Sequence, residues 1–116
     1  TPFTAAVLRR KLDEHGLTDE VEVNVVPLGG RIAIGDFDIE FISLTHSIPE
    51  PNALALRTPA GTVLHTGDWK IDASPALGPL TDSGKIRKLG DDGLLAMVCD
   101  STNVLSSTPR SMRGNA

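Results

Sequence analysis

Tyrosine is absent, and three phenylalanines and one tryptophan make up the whole aromatic content, 3% of the chain. A core must therefore rest on Leu, Ile, Val and Ala. Cysteine occurs once, at Cys99, so no internal disulfide can form and a reducing, cytoplasmic setting is expected. Cations are too few for a nucleic-acid-coating surface: 11 Lys and Arg against 15 Asp and Glu leave a formal charge of −4. That balance still admits a site where bound metal ions supply the local positive charge. No apolar run approaches the ~20 residues that span a bilayer, so no membrane association is expected. A signal-peptide pattern is also lacking. The chain opens on Thr1 rather than Met, which makes an internal or processed piece of a longer chain the expectation.

What is present is ordinary for a globular protein: 40% apolar and 22% charged residues. A length of 116 residues suits one domain. A domain of that size buries about two-thirds of its unfolded surface.

Residues 2–15 carry Val7, Leu8 and Leu12 at helical spacing, with Thr1 as N-cap, Pro2 at the first helical position and Gly16 as the stop. His15 then reads as a helix-end histidine favoured by the dipole. Val21, Val23 and Val25 alternate with polar residues, the pattern of a half-buried strand. Short strands are expected at residues 32–34 and 37–44, joined by the Gly35-Asp36 turn. A second hairpin is expected from residues 53–58 and 62–66, around Pro59-Ala60-Gly61. Residues 72–83 are rich in Pro, Gly, Asp and Ser and read as a loop. A short helix follows at residues 85–89, capped by Ser83 and ended by Gly90. Residues 94–99 form an unbroken apolar run, expected of a strand buried on both faces, with Cys99 as a buried small residue. From Ser106 hydrophobic content falls away, and residues 106–116 are expected to form a poorly ordered tail.

Three polar clusters follow apolar strands: Thr45-His46-Ser47, His65-Thr66-Gly67-Asp68 and Asp100-Ser101-Thr102-Asn103. Strand ends on a rigid sheet commonly present functional groups. Histidine nitrogen and aspartate oxygen are donors a hydrolytic zinc uses, and a carboxylate can bridge two ions. The plainer account of a lone histidine or a Gly-Asp turn is structural. His65 lies inside a strand, where a core or supporting hydrogen-bonding role fits best.

The wording of these clusters is more specific than their spacing. Phe41-Ile-Ser-Leu-Thr-His-Ser-Ile-Pro-Glu50, Leu64-His-Thr-Gly-Asp-Trp-Lys-Ile-Asp72 and Cys99-Asp-Ser-Thr-Asn103 resemble, in order, blocks of the ribonuclease J family. That family is a β-CASP branch of the metallo-β-lactamase superfamily. The resemblance runs from about Thr1 to Val104. It implies an α/β (α+β) fold: part of a metallo-β-lactamase αββα sandwich, with a mostly antiparallel, mixed sheet and flanking helices. Residues 1–105 would be the partial domain. It further implies that His46 and Asp68 are metal ligands and catalytic residues, with Asp68 bridging two Zn2+ ions, Mn2+ being possible in their place. The partner would be RNA, cleaved as an endonuclease or a 5′-to-3′ exonuclease. The setting would be cytoplasmic and the assembly a homo-oligomer.

The sequence also departs from the family. Trp69 stands where Phe is commoner, Glu50 where Asp is usual, and Cys99 where Ser is frequent. The family's His-x-His-x-Asp-His cluster, its late histidine and its whole β-CASP domain do not occur here. Only two of its seven ligands are present, so the chain alone is expected to be inactive. Rival readings are another superfamily hydrolase, acting on DNA or using zinc generically, and a non-catalytic structural module.

Overall fold

The structure, a computed structural model, describes residues 1–102, 104 and 105. The expected tail at 106–116 and Asn103 lie outside these residues. The elements run α1 (Pro2–Glu14), β1 (Arg31–Ile34), β2 (Phe37–Ser43), β3 (Asn52–Thr58), β4 (Gly61–His65), α2 (Ser83–Asp92) and β5 (Ala96–Val98). The five strands form one mixed sheet in the order β1-β2-β3-β4-β5. The first four pair antiparallel as successive hairpins, and β5 returns parallel to β4 after the α2 crossover. The expected mixed α/β class and both hairpins are therefore observed.

The register explains which face is buried. Ile42 sits opposite Ala53, Glu40 opposite Ala55, and Ala55 opposite Leu64, so these side chains share one face. On it Ile42, Leu44, Ala53, Ala55 and Leu64 join Leu89 of α2 in the buried core, with Trp69, Ile86 and Leu94 packed at its margin. The two alanines keep the sheet surface low where Leu89 lands. The opposite face carries Ile39, Phe41, Leu54, Leu56 and Val63, all half-buried. No helix comparable to α2 closes it among the described residues.

Both helices begin as the sequence allows, with one change of cap. Asp82, not Ser83, caps α2: its carboxylate accepts from the Lys85 N–H at 3.0 Å. Pro2 occupies the first turn of α1, but the Thr1 hydroxyl makes no capping bond. The Glu50 carboxylate takes the Phe3 N–H instead, at 2.8 Å, anchoring the loop after β2 to this helix end. His15 is the C-cap of α1, as expected.

Three further expectations are corrected. Residues 21–25 are not a strand. A strand exists through its ladder, and no described strand pairs with this segment, so the valine alternation has no hydrogen-bonding partner. Residues 94–99 do not form a strand buried on both faces: β5 holds only Ala96–Val98 and all three residues are exposed. It is the last strand of the sheet, and neither helix covers it. Cys99 is accordingly exposed, not buried.

Candidate functional site

Strand direction brings the three polar clusters to one end of the sheet. β2 and β4 each run antiparallel to β3, and β5 runs parallel to β4, so β2, β4 and β5 all point the same way. His46 lies just beyond the end of β2, Asp68 beyond β4 and Asp100 beyond β5. The structure places His46 and Asp68 in one shallow depression of about 300 Å³, shared with Ser47, Ile48, Pro51 and Asn52. A second hollow beside it is lined by His46, Ser47, Lys70, Asp72 and residues 75–77.

Each side chain is presented by a braced backbone. Leu44 N–H donates to Pro51 O at 2.9 Å, closing the base of the 45–51 loop. Beyond β4, the Thr66 N–H donates to Val98 O at 2.9 Å, extending the parallel ladder by one step. The Thr66 hydroxyl donates to Gly67 O at 2.8 Å, and the Gly67 N–H donates to His65 Nδ1 at 3.1 Å. Gly67 turns the chain at φ +61°, a left-handed value that suits glycine, and Asp68 follows at once. His65 thus braces the turn that follows it, but its side chain is exposed and forms no part of the core that its place in a strand suggested. Because Nδ1 accepts, its ring proton resides on Nε2.

His46 Nδ1 lies 3.0 Å from Ser47 Oγ. Asp100 is held nearby: its carbonyl accepts from Trp69 Nε1 at 3.2 Å. The Asp100 carboxyl sits below the usual carboxylate range. The Thr102 hydroxyl is the main cause and the Thr102 N–H adds to it, with a smaller contribution from His46. Asn52 is the residue that sequence reasoning passed over. It lines the depression with a buried Oδ1 that has no hydrogen-bond partner among the described residues, while its amide nitrogen donates to Glu50 O at 2.8 Å. Its signal was faint: one amide opening an apolar strand.

The donors match zinc in kind, one imidazole nitrogen and one carboxylate. They fall short in number. Among the described residues no three His, Cys, Asp or Glu side chains converge as a metal-holding group, and a catalytic zinc takes three protein ligands as a rule.

No family model matches the chain. Individual proteins do. The chain is 50% identical over 105 residues, 90% of its length, to "Ribonuclease J" of Sinorhizobium meliloti. It is 43% identical over 108 residues, 92% of its length, to that of Corynebacterium glutamicum, and 40% identical over 104 residues, 89% of its length, to that of Helicobacter pylori. The chain corresponds to a segment of a ribonuclease J-like protein. It spans 19%, 14% and 15% of those three relatives' lengths respectively. Within that share lie the strand ends that carry His46, Asp68 and Asp100.

Proposed function

We propose that this chain contributes His46 and Asp68 to a two-metal centre of a ribonuclease that hydrolyses RNA phosphodiester bonds. The observation that carries the reading is the arrival of both side chains in one depression at the common end of β2 and β4. Ribonuclease relatives at 40–50% identity add the reaction class. Ser47 engages Nδ1 of His46, so Nε2 is the nitrogen that would face a cation, the usual division of labour for a ligating imidazole. The Asp68 carboxylate has two oxygens and would hold both ions. Bound zinc or manganese would supply Lewis-acid stabilisation of charge on the phosphate and an activated water. The chain's own part is to fix one nitrogen and one carboxylate on rigid strand ends before any metal arrives.

The remaining ligands and the RNA-gripping surface belong to other parts of the full-length protein, so the isolated chain has no nuclease activity. The same reading puts the protein in the cytoplasm as a homo-oligomer. One observation supports the setting: Cys99 is a free thiol. The test uses the full-length protein, labelled single-stranded RNA and single-stranded DNA, with bound zinc measured in parallel. His46→Ala and Asp68→Asn should each remove most bound zinc and about 10²-fold or more of RNA cleavage. Unchanged zinc in both variants would favour a non-catalytic module, and preferential cleavage of DNA another hydrolase of the superfamily.

A further inference from the structure

We propose that Thr45 is a positioning residue for the His46–Asp68 pair, its hydroxyl locking the segment that carries His46 to the segment that follows Asp68. The proposal rests on the reading of those two residues as metal ligands. Thr45 is only 2% exposed, one of two buried polar residues in the described chain. Its Oγ1 donates to the carbonyl of Lys70, so its single proton is committed there. The two lone pairs accept from the Asp72 N–H at 3.2 Å and from the Thr81 hydroxyl at 3.0 Å, Thr81 being the donor by elimination. One donor and two acceptors are the full capacity of a hydroxyl. The backbone repeats the connection: Lys70 N–H donates to Thr45 O at 2.9 Å, an isolated antiparallel bridge. Asp82 N–H donates to Ser43 O at 3.0 Å and draws the end of the 72–82 loop to the same place.

Three chain segments meet at this one oxygen. His46 is the next residue in the chain, and Asp68 lies two residues before Lys70. Nothing else described ties the two candidate ligands' segments together so directly. Valine matches threonine in shape but leaves the Asp72 N–H and Lys70 C=O without their buried partner. The two segments would then be held by the backbone bridge alone, and the nitrogen-to-carboxylate spacing would loosen before any contact with metal is removed. Serine keeps the oxygen and loses only a methyl group.

The test uses the full-length protein as wild type, Thr45→Val, Thr45→Ser, Thr81→Val and His46→Ala. Zinc affinity is measured by competition with a chromophoric chelator, and the absorption of the cobalt-substituted protein reports ligand geometry. Thr45→Val should weaken zinc binding by about 10- to 100-fold and alter the cobalt spectrum, the range seen when a group orienting a ligand is removed. Thr45→Ser should stay within about threefold of wild type with an unchanged spectrum. Wild-type affinity in Thr45→Val, or an equal loss in Thr45→Ser, would overturn the proposal. Should Thr45→Val fail to fold, Thr81→Val decides: a weakening of about threefold or more supports the network, and no change refutes it. His46→Ala separates the two levels. If it abolishes tight zinc binding while Thr45→Val does not, positioning fails alone; if it leaves zinc untouched, the ligand reading fails and this proposal with it.

Discussion

Lys85 of α2 meets Glu40 of β2 across the helix–sheet interface, Nζ to Oε1 at 2.8 Å. Arg57 of β3 reaches the other oxygen at 2.7 Å, and the Glu40 side chain is only 15% exposed. Lys85, then Arg57, hold the Glu40 carboxyl below the ordinary glutamate value of 4.5, against the opposing effect of burial. A group whose pKa is lower when folded takes up a proton more readily when unfolded. Its stabilisation is therefore complete above pH 4.5 and drains away as pH falls below that value through the depressed folded one. Glu40→Gln is expected to lower stability by about 1–3 kcal/mol at pH 7, the scale of a charged hydrogen bond. Urea unfolding of both proteins at pH 7 and at pH 3 measures it. The gap should narrow at the lower pH; an equal gap at both would show that the pair contributes nothing beyond shape.

Gly78 presses the 72–82 loop onto the loop that carries His46. Its φ is +77°, and a Cβ built there would overlap the Pro49 carbonyl oxygen. The obstacle is backbone, so no rotamer change relieves it. Gly78→Ala should cost about 2–4 kcal/mol, combining the left-handed penalty with overpacking. A lowered melting temperature together with weaker zinc binding in the full-length protein is the expected result. A melting temperature equal to wild type would mean the two loops do not touch in solution.

The sequence revealed local order more readily than context. The hairpins were legible because Gly35-Asp36 and Pro59-Ala60-Gly61 sit between apolar segments, and turn chemistry is decided within a few residues. The alternation at Val21, Val23 and Val25 was equally regular but misleading. Pairing needs a neighbour that no periodicity names. The same limit applies to β5, whose apolar run reads as buried while all three of its residues are exposed. At the site, His46 and Asp68 were found through the wording of their segments. Their meeting in one depression depends on β2 and β4 sharing a direction, which follows from two hairpins in succession. Thr45 stayed hidden because its partners, Lys70, Asp72 and Thr81, are distant in sequence and unremarkable in type.

Leu89 is the one α2 side chain in the buried core, 5% exposed over Ile42, Leu44, Ala53, Ala55 and Leu64. Two of those five neighbours are alanines, with no side-chain length to refill a hole. Leu89→Ala is expected to cost about 2–4 kcal/mol through lost burial and the cavity left behind. Equilibrium urea unfolding should show a lower midpoint with an unchanged slope. A cost under about 1 kcal/mol would indicate that α2 is only loosely seated on the sheet.

Among the described residues β5 ends the sheet, its outer backbone edge unshared and flanked by apolar side chains: Leu95 is 67% exposed and Val98 50%. Such an edge is a template for another strand, since pairing satisfies the backbone and covers the side chains together. In the full-length protein other segments would meet this edge. In the isolated chain the available surface is a second copy. Sedimentation velocity over a concentration series up to about 100 μM should show the isolated chain self-associating, within the range where exposed edges aggregate. Val98→Lys places a charge on the edge, where a neighbouring copy would have to desolvate it, and should shift the distribution towards monomer. The substitution lies outside the buried core, so the fold should survive it. A wild-type chain that stays monomeric throughout, or a lysine variant that associates as strongly, would show that β5 is not the sticky edge its exposure implies.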